Sequence, residues 1–403
     1  MNNWSGSREW KSILQPSTFQ TAGRVVYGSG TFNQLGELAA SLDWRNVAIV
    51  TSPSLIRLQW IDKAIALLGE HQVKAVIIQS DITEEPSIEQ LERMAEALRE
   101  QPLDGIIGIG GGSVLDAAKL LSVRYSASSK RVRDMLGIGN IDSPGLPTIL
   151  IPTTSGTGSE VTPNAIVTLP EEQLKIGVVS PCLYPAVALL DPMLTLTLPP
   201  AMTASTGMDA FTHAIESYIS NKSNPISDTF ALEAIRLIAD HIVTAYQDGS
   251  HEQARAAMML GSMYGGMALS CSGTAAVHAL AYPLGGTFHI PHGVANAMLL
   301  PHVLRYNADT ITSRLTHVSM AMGLSSASGG EWTADDAAAA VIERIEEWTE
   351  LLGIPQNLAA FGVQQADLLQ LAEAASRVTR LMNNNPKPIP VADIERLYAK
   401  LLS

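Results

Sequence analysis

The sequence predicts a two-part chain in which a parallel α/β half precedes an all-helical half. Three observations support this prediction. Up to about residue 198, short apolar runs alternate with helical stretches, a pattern typical of a parallel sheet with helices on both faces. Beyond that point β-branched runs nearly disappear and helical periodicity dominates. A chain of 403 residues is also too long for one ordinary core. We therefore expect an α/β domain at 1–198 and a helical domain at 199–403.

The elements follow from the pattern in chain order. Residues 17–30 are expected to enter in an extended conformation, followed by buried strands and then by helices. The expected strands are 46–51, 74–79, 105–110, one starting at 148 and one at 187–191. The expected helices of the first half include 31–42, a stretch to about 69, and 87–100. Those of the second half include 201–220, 226–246, 252–282, 293–306 and 335–353. Gly265, Gly266 and Gly273 interrupt one of these runs, and close helix packing or a neighbouring ligand is the expected reason.

Composition narrows the class of protein. The net charge of −13 argues against nucleic-acid and anionic-membrane partners. Only 16% of residues are charged, against about 25% in an average protein, so we expect a homodimer or larger homo-oligomer that buries surface. Cys182 and Cys271 form no disulfide framework, which favours a reducing cytoplasm. No apolar run is long enough to span a membrane, and the N-terminus lacks the apolar segment of a secretion signal.

A glycine-rich turn, Gly110 to Gly112, comes directly after a predicted strand and directly before a helix. Backbone N–H groups of such a turn can face a diphosphate, and the helix N-terminus adds partial positive charge. Ser113 is a candidate N-cap, and Asp116 resembles the acidic partner of a capping box. The spacing is not the strict dinucleotide fingerprint, so a tight turn that binds nothing remains the alternative.

A second polar loop, residues 153–160, follows the next strand with the sequence TTSGTGSE. Its hydroxyls and backbone donors lie at the carboxyl end of a strand, the edge where α/β sheets bind ligands. An ordinary solvated loop is the alternative. Two such loops on successive strands favour a nucleotide site.

Four side chains of the second half suggest a metal site. Asp209 and His213 are four residues apart in a helical run, so they share one face. His278 lies late in another helical run, and His292 lies between Pro291 and Gly293, where one element gives way to the next. One carboxylate and three imidazoles suit Fe(II) or Zn(II). The alternative is that these histidines are packed core residues, since an Asp and a His at this spacing often occur by chance.

Taken together, four motifs resemble the iron-dependent, group III alcohol dehydrogenases. The motifs occur in that family's order at 110–119, 151–162, 207–216 and 277–301. The resemblance implies a Rossmann-like domain followed by a helical domain, similar to dehydroquinate synthase and glycerol dehydrogenase, with coenzyme and metal in the cleft between them.

The resemblance also implies roles for single residues. The metal ligands would be Asp209, His213, His278 and His292. The coenzyme diphosphate and nicotinamide ribose would lie near Gly111, Gly112, Ser113 and Asp116. Further coenzyme contacts would be Thr153, Thr154, Thr157, Thr162 and Lys175. The metal of this family is most often Fe(II) and sometimes Zn(II).

Two positions depart from the family pattern. Many members have a second histidine four residues after the third ligand, where this chain has Tyr282. A tyrosine with an ordinary pKa of about 10 is a poor proton shuttle at neutral pH, so water, Tyr282 and His289 are the alternative proton routes. NAD-preferring members tend to have an aspartate after the second strand, where this chain has Ser52. Without that carboxylate a 2′-phosphate is not repelled, so NAD and NADP both remain open.

The predicted function is reversible hydride transfer between a small primary alcohol, or its aldehyde, and NAD(P). One alternative is a dehydrogenase of hydroxy acids such as 4-hydroxybutyrate, since Tyr282 also occurs in such relatives. The other is a lyase related to dehydroquinate synthase, which requires several basic residues in the cleft. Region 200–300 holds few basic residues, among them Lys222, Arg236 and Arg255, which disfavours the lyase. The metal-free maleylacetate reductases lack the aspartate ligand, so Asp209 argues against that branch.

Overall fold

The computed structural model describes residues 16–79, 82, 85–126, 130–172, 174–325 and 332–402. Within these ranges, nine strands form two sheets. The strands are Arg24–Tyr27 (β1), Asn46–Thr51 (β2), Lys74–Gln79 (β3), Gly105–Gly110 (β4), Gly137–Ile138 (β5), Thr148–Pro152 (β6), Asn164–Leu169 (β7), Leu174–Val179 (β8) and Val187–Leu190 (β9).

Helices connect these strands and make up the second half of the chain. Those of the first half are Leu35–Ser41 (α1), Pro53–Arg57 (α2), Trp60–Glu70 (α3), Ile88–Leu98 (α4) and Gly112–Ser126 (α5). Those of the second half are Pro200–Ile219 (α6), Pro225–Gln247 (α7), Glu252–Ser272 (α8), Ala276–Phe288 (α9), His292–Ala321 (α10), Ala334–Leu351 (α11), Leu368–Ser376 (α12), Thr379–Met382 (α13) and Val391–Ala399 (α14).

The larger sheet has six parallel strands in the order β1-β9-β6-β4-β2-β3. Both of its faces are buried. On β2, Val47 and Ile49 pack on one face with α1 and α3, while Ala48 and Val50 pack on the other with α4 and α5. This explains why the strands read as continuous apolar runs, since a parallel sheet is covered on both sides by its crossover helices. The predicted fold class, a parallel α/β half followed by a helical half, is confirmed.

A smaller sheet, ordered β5-β8-β7, was missed by the sequence reading. Its two longer strands are antiparallel, with Val167 opposite Ile176. The reading predicted no strand between 156 and 187. The physical reason is that Gly177 interrupts β8 and that β7 alternates buried and half-buried residues, so neither strand has the apolar run of a central strand.

The helical half differs from the prediction in two places. The run predicted at 252–282 is two helices, because Gly273 has a φ of 70° and ends α8. Helix α10 runs on to Ala321 instead of ending at 306, because Ile311, Leu315 and Val318 continue its buried face. The α/β strands end at Leu190 and the long helices begin at Pro200, although a domain boundary at 198/199 stays a prediction.

Two glycines of α8 are explained by close packing, as the sequence suggested. A Cβ at Gly265 would lie 3.2 Å from the Ala210 carbonyl oxygen on α6, and one at Gly266 would lie 2.8 Å from the Gly158 carbonyl oxygen. The second contact joins α8 to the polar loop after β6. Among the described residues, no helix combines the length and the hydropathy that crossing a membrane requires.

Candidate active site

The first two candidate ligands project from one face of α6. Asp209 and His213 are one helical turn apart and both are buried, so they point into the helical half next to each other. Their facing atoms, Asp209 Oδ1 and His213 Nε2, are 3.9 Å apart. Asp209 and His213 therefore share one face of the helix, as their spacing of four residues predicts.

The other two candidate ligands come from α9 and from the first residue of α10. The start of α10 packs closely on α6. Only glycine fits at position 293, since a Cβ there would collide with the Ser205 carbonyl oxygen. As a result His292 Nε2 lies 3.7 Å from Asp209 Oδ1, and His278 Nε2 lies 3.7 Å from the same oxygen. Three helices thus bring their side chains to one carboxylate oxygen.

These distances fit a coordinated cation. Tetrahedral coordination at a metal–ligand distance of about 2.1 Å places neighbouring ligand atoms about 3.4 Å apart. The three Nε2–Oδ1 distances of 3.7, 3.7 and 3.9 Å exceed that value by only a few tenths of an ångström. Asp209, His278 and His292 form a group whose ligand atoms all lie within 4.8 Å of one another. His213 lies outside this group but stacks on His278, with ring centroids 4.6 Å apart.

The Asn296 amide shows that three ligand atoms face a common point. Its Nδ2 lies 2.8 Å from Asp209 Oδ1 and 3.2 Å from Nε2 of both His278 and His292. An amide NH₂ only donates, so the atoms that accept its two hydrogens present lone pairs, as a metal ligand must. The Asn296 Oδ1 atom is buried and finds no hydrogen-bond partner among the described residues. The donor set and its direction therefore fit a divalent ion.

Glu216 orients His278 from the outer side. Its Oε2 lies 2.6 Å from His278 Nδ1, and it accepts a hydrogen bond from the Ala275 N–H at 3.0 Å. Its Oε1 accepts one from the Val277 N–H at 2.6 Å. When Nδ1 donates to this carboxylate, the Nε2 lone pair is left for a metal, an arrangement usual for metal-binding histidines. The fully buried Glu216 also satisfies two N–H groups at the start of α9.

The ionisation of the cluster suits cation binding. Burial raises the pKa of Asp209. The opposing effect is larger and comes from three neighbouring imidazoles and a hydrogen bond from Asn296, so the pKa lies below its ordinary value. The imidazoles are those of His213, His292 and His278. Burial lowers the pKa of His213 to about 4 and also depresses that of His292. At neutral pH the carboxylate is therefore charged and these imidazoles are neutral, the forms that bind metals.

The polar loop after β6 touches this cluster. The Gly156 carbonyl oxygen lies 3.3 Å from His213 Nδ1 and accepts a hydrogen bond from it when Nδ1 carries the proton. A Cβ at Gly156 would lie 2.8 Å from Thr206 Cβ on α6, so the loop packs tightly on that helix. The predicted nucleotide loop and the predicted metal ligands are thus parts of one site.

The two predicted nucleotide loops lie side by side. The Thr153 N–H donates to the Gly110 carbonyl oxygen at 2.9 Å, which joins the ends of β4 and β6. A Cβ at Gly112 would lie 2.5 Å from Thr157 Cγ2, and one at Gly111 would lie 3.5 Å from Thr154 Cγ2. Gly111, Ser113, Thr154 and Thr157 are partly exposed at this edge, where they could meet a diphosphate.

The expected capping-box role of Asp116 is wrong. Its buried carboxylate accepts hydrogen bonds from Ser159 Oγ and from the Ile166 N–H at 2.9 Å, rather than closing the start of α5. Lys119, also buried, lies 3.7 Å from Asp116 and donates to Ser159 Oγ, to Thr162 Oγ1 and to the Asn164 carbonyl oxygen. The helix register explains the difference. Helix α5 begins at Gly112, so Ser113 lies inside its first turn and is not the N-cap that the sequence suggested, and Asp116 is turned towards the polar loop. Contact of Asp116 and Thr162 with the coenzyme stays a prediction.

The remaining predicted residues lie at separate places. Lys175 on β8 pairs with Glu85, and a Cβ at Gly285 on α9 would lie 2.9 Å from Lys175 Nζ. Ser52 precedes α2, with its Oγ 2.8 Å from Ser54 Oγ. Tyr282 is half-buried, with its ring centroid 5.9 Å from that of His292. His289 is exposed and ends α9 with a φ of 54°.

Sequence reasoning missed three residues of the site: Glu216, Asn296 and Glu85. Two of them had a readable signal. Glu216 is seven residues after Asp209 and Asn296 is four after His292, so each shares a helix face with a ligand. A carboxylate and an amide on such faces would have suggested partners for the ligands. Glu85 had no signal, because its pairing with Lys175 joins distant parts of the chain.

Known proteins that are similar to this chain include several alcohol dehydrogenases. Residues 22–192 match the family model for iron-containing alcohol dehydrogenase, and residues 203–402 match the C-terminal model of the Fe-containing alcohol dehydrogenase family. Long-chain-alcohol dehydrogenase 1 of Geobacillus thermodenitrificans is 39% identical over 92% of this chain and 93% of its own. The 1,3-propanediol dehydrogenase of Klebsiella pneumoniae is 34% identical over 90% of this chain and 92% of its own. A crystal structure of 1,3-propanediol oxidoreductase superposes with a TM-score of 0.91 at 32% identity, covering 96% of this chain and all of the other.

Proposed function

This chain belongs to the iron-containing alcohol dehydrogenase family, and from that premise we propose that Asp209, His213, His278 and His292 together hold one divalent ion. The chain is an NAD(P)-linked oxidoreductase that acts on CH–OH groups. The single observation that supports the ligand set is the convergence of three imidazole Nε2 atoms within 3.9 Å of Asp209 Oδ1. Iron is the metal named for the family, and both Fe(II) and Zn(II) suit these donors.

The chemistry that a bound divalent ion supplies is Lewis-acid polarisation of the substrate oxygen. The chain's own residues prepare for it. Asp209 contributes the negative charge, the neutral imidazoles contribute lone pairs, and Glu216 holds His278 in the tautomer that leaves Nε2 free. His292 has a side chain 23% exposed, whereas those of the other three ligands are buried, so the substrate approaches from the His292 side.

Tyr282 is placed to contact the substrate from α9. It lies one turn after His278 and beside His292. Burial raises the pKa of Tyr282, although Arg380 opposes that effect, so the phenol stays protonated at neutral pH. We infer that it donates a hydrogen bond to the substrate oxygen. Water and the exposed His289 complete the proton route to solvent.

The coenzyme would lie over the two loops that follow β4 and β6. We infer that the N–H groups at Gly111, Gly112 and Ser113 face its diphosphate, because α5 begins at Gly112 and Gly111 is partly exposed directly before it. Thr153, Thr154, Thr157, Thr162, Asp116 and Lys175 complete the proposed coenzyme site. Ser52 carries no charge to repel a 2′-phosphate, so NADP and NAD both fit.

Small primary alcohols and their aldehydes are the substrates that we propose, and the similar proteins are named for long-chain alcohols and 1,3-propanediol. The comparisons favour a dehydrogenase over a lyase on the same fold. A homo-oligomer and a cytoplasmic location stay predictions.

The test starts with protein freed of metal by chelation and dialysis. Resupply of Fe(II) or Zn(II) should restore aldehyde-dependent oxidation of NADH or NADPH, read at 340 nm. His278→Ala should bind no metal and show no turnover while keeping its far-UV circular dichroism. His241→Ala is the matched control, because that histidine lies half-buried on α7, outside the cluster. A metal-replete, active His278→Ala enzyme would remove His278 from the ligand set.

A further inference from the structure

Lys119 on α5 is a buried cation for which the proposed reaction gives no role. It follows Gly112, the first residue of that helix, by about two turns, and its side chain has no exposed surface. Taking an ammonium out of water is costly unless acceptors surround its N–H groups. The acceptors around Lys119 therefore show which parts of the protein its charge joins.

The Lys119 ammonium donates to the segment that ends the polar loop and leads into β7. The acceptors are Ser159 Oγ at 2.8 Å, Thr162 Oγ1 at 3.3 Å and the Asn164 carbonyl oxygen at 2.7 Å. An ammonium has three N–H groups, and these three acceptors use them all. The counter-charge is Asp116, one turn earlier on α5, whose Oδ1 lies 3.7 Å from Nζ. The helix that begins at the glycine-rich turn is thus tied to the end of the polar loop.

Ser159 carries this link on to the predicted diphosphate site. Its hydroxyl accepts from Lys119 and donates to Asp116 Oδ1 at 2.5 Å. Its backbone N–H donates to Thr157 Oγ1 at 3.2 Å. Thr157 is the side chain that a Cβ at Gly112 would meet. The buried charge therefore helps to fix the side chain that borders the glycine-rich turn.

The other end of the polar loop meets the metal-ligand cluster. The Gly156 carbonyl oxygen lies 3.3 Å from His213 Nδ1, and a Cβ at Gly156 would lie 2.8 Å from Thr206 Cβ on α6. Gly156 is three residues before Ser159, so the contacts to α6 and those to Lys119 belong to one short piece of chain. A shift of this piece would change the coenzyme side and the metal side of the site together.

On the premise of the proposed function, we propose that Lys119 is a positioning residue that holds the polar loop ready for both the coenzyme and the metal. Each ligand then finds the loop already ordered. Without the contacts of Lys119, the first ligand to bind must order the loop and the second no longer has to, so each ligand strengthens the binding of the other. Lys119 itself contacts neither ligand and transfers no proton.

The test removes the bridging hydroxyl and leaves both charges in place. Ser159→Ala should raise the dissociation constants of Zn(II) and of reduced coenzyme by about 2- to 10-fold each, which corresponds to the usual contribution of one hydrogen bond. Bound Zn(II) should then improve coenzyme affinity by a larger factor than it does in the wild type, because the metal has already ordered the loop. With both ligands saturating, kcat should stay close to the wild-type value.

Zn(II) affinity is measured by competition with a chelator, in the presence and absence of NADH or NADPH. Coenzyme affinity is measured by coenzyme fluorescence, in the presence and absence of Zn(II). Ser122→Ala is the matched control, since that serine is also buried on α5 but its hydroxyl donates within the helix, to the Lys119 carbonyl oxygen at 2.7 Å. Lys119→Met should show the same changes more strongly. If Lys119→Met fails to fold, Ser159→Ala, which loses no charge, decides the question.

Three results would overturn the role of Lys119. These are wild-type affinities in Ser159→Ala, weaker binding without a stronger coupling between the two ligands, or the same changes in Ser122→Ala. A wild-type protein that binds neither Zn(II) nor coenzyme would instead refute the proposed function, and the role of Lys119 with it.

Discussion

Replacing Glu216 by glutamine should weaken metal binding without unfolding the protein. Glu216 accepts three hydrogen bonds in a fully buried position, from His278 Nδ1 and from the N–H groups of Ala275 and Val277. Glutamine keeps the size of the side chain but replaces one accepting oxygen with an NH₂ donor. At least one of the three donors then faces another donor, which costs about 1–3 kcal/mol.

The expected loss of metal affinity follows from the same geometry. Without a carboxylate at Nδ1, His278 is no longer held in the tautomer and ring orientation that point Nε2 towards Asp209. Losing such a partner typically lowers metal affinity about 10- to 100-fold. That range corresponds to about 1.4–2.7 kcal/mol and agrees with the cost of one unpaired donor.

The assay is competition for Fe(II) or Zn(II) against a chelator of known affinity, with metal content measured after dialysis. Circular dichroism and thermal unfolding of the metal-free protein check that Glu216→Gln folds. Glu233→Gln is the control, because it removes one carboxylate from an exposed pair with Arg236 on α7. If Glu216→Gln bound the metal as tightly as the wild type, the orienting role of this carboxylate would be refuted.

Three further predictions concern the α/β half. Gly112→Ala should raise the KM for NAD(P)H at least several-fold, because the new Cβ would lie 2.5 Å from Thr157 Cγ2 and displace the loop. The metal content should not change, and an unchanged KM would contradict the coenzyme placement. Ser52→Asp should lower kcat/KM for NADPH more than for NADH, and equal effects would separate Ser52 from the ribose. Burial raises the pKa of Glu160 to about 7, above its unfolded value of 4.5. Between pH 4.5 and 7 the native state therefore binds more protons than the unfolded state, and the free energy of unfolding falls as pH rises through this range. Glu160→Gln should therefore match the wild type near pH 4.5 and exceed its unfolding free energy by up to about 3 kcal/mol above pH 7; a pH-independent difference in urea midpoints would refute this.

Much of the fold could be predicted from the sequence because its signals are local. The strands at 46–51 and 105–110 were predicted at the bounds that the structure has, since buried parallel strands read as unbroken apolar runs. The strand at 74–79 was also predicted at its bounds, although it lies at the edge of the sheet and is partly exposed. The edge strand β7 was missed because buried and half-buried residues alternate in it. The helix end at Gly273 was missed because one helix ends directly before it and another begins three residues later, so the helical pattern is almost continuous.

The sequence by itself determined the chemical types of the site: an aspartate and three histidines, two glycine- and hydroxyl-rich loops, and a tyrosine in place of a histidine. Each is visible because helix and strand periods fix which neighbouring residues share a face. Only the tertiary structure decided how these parts meet. The approach of α10 to α6 at Gly293, the carboxylate of Glu216 behind His278 and the pairing of Lys175 with Glu85 join residues far apart in the chain. Local periodicity carries no information about such contacts, because they arise from the packing of whole elements.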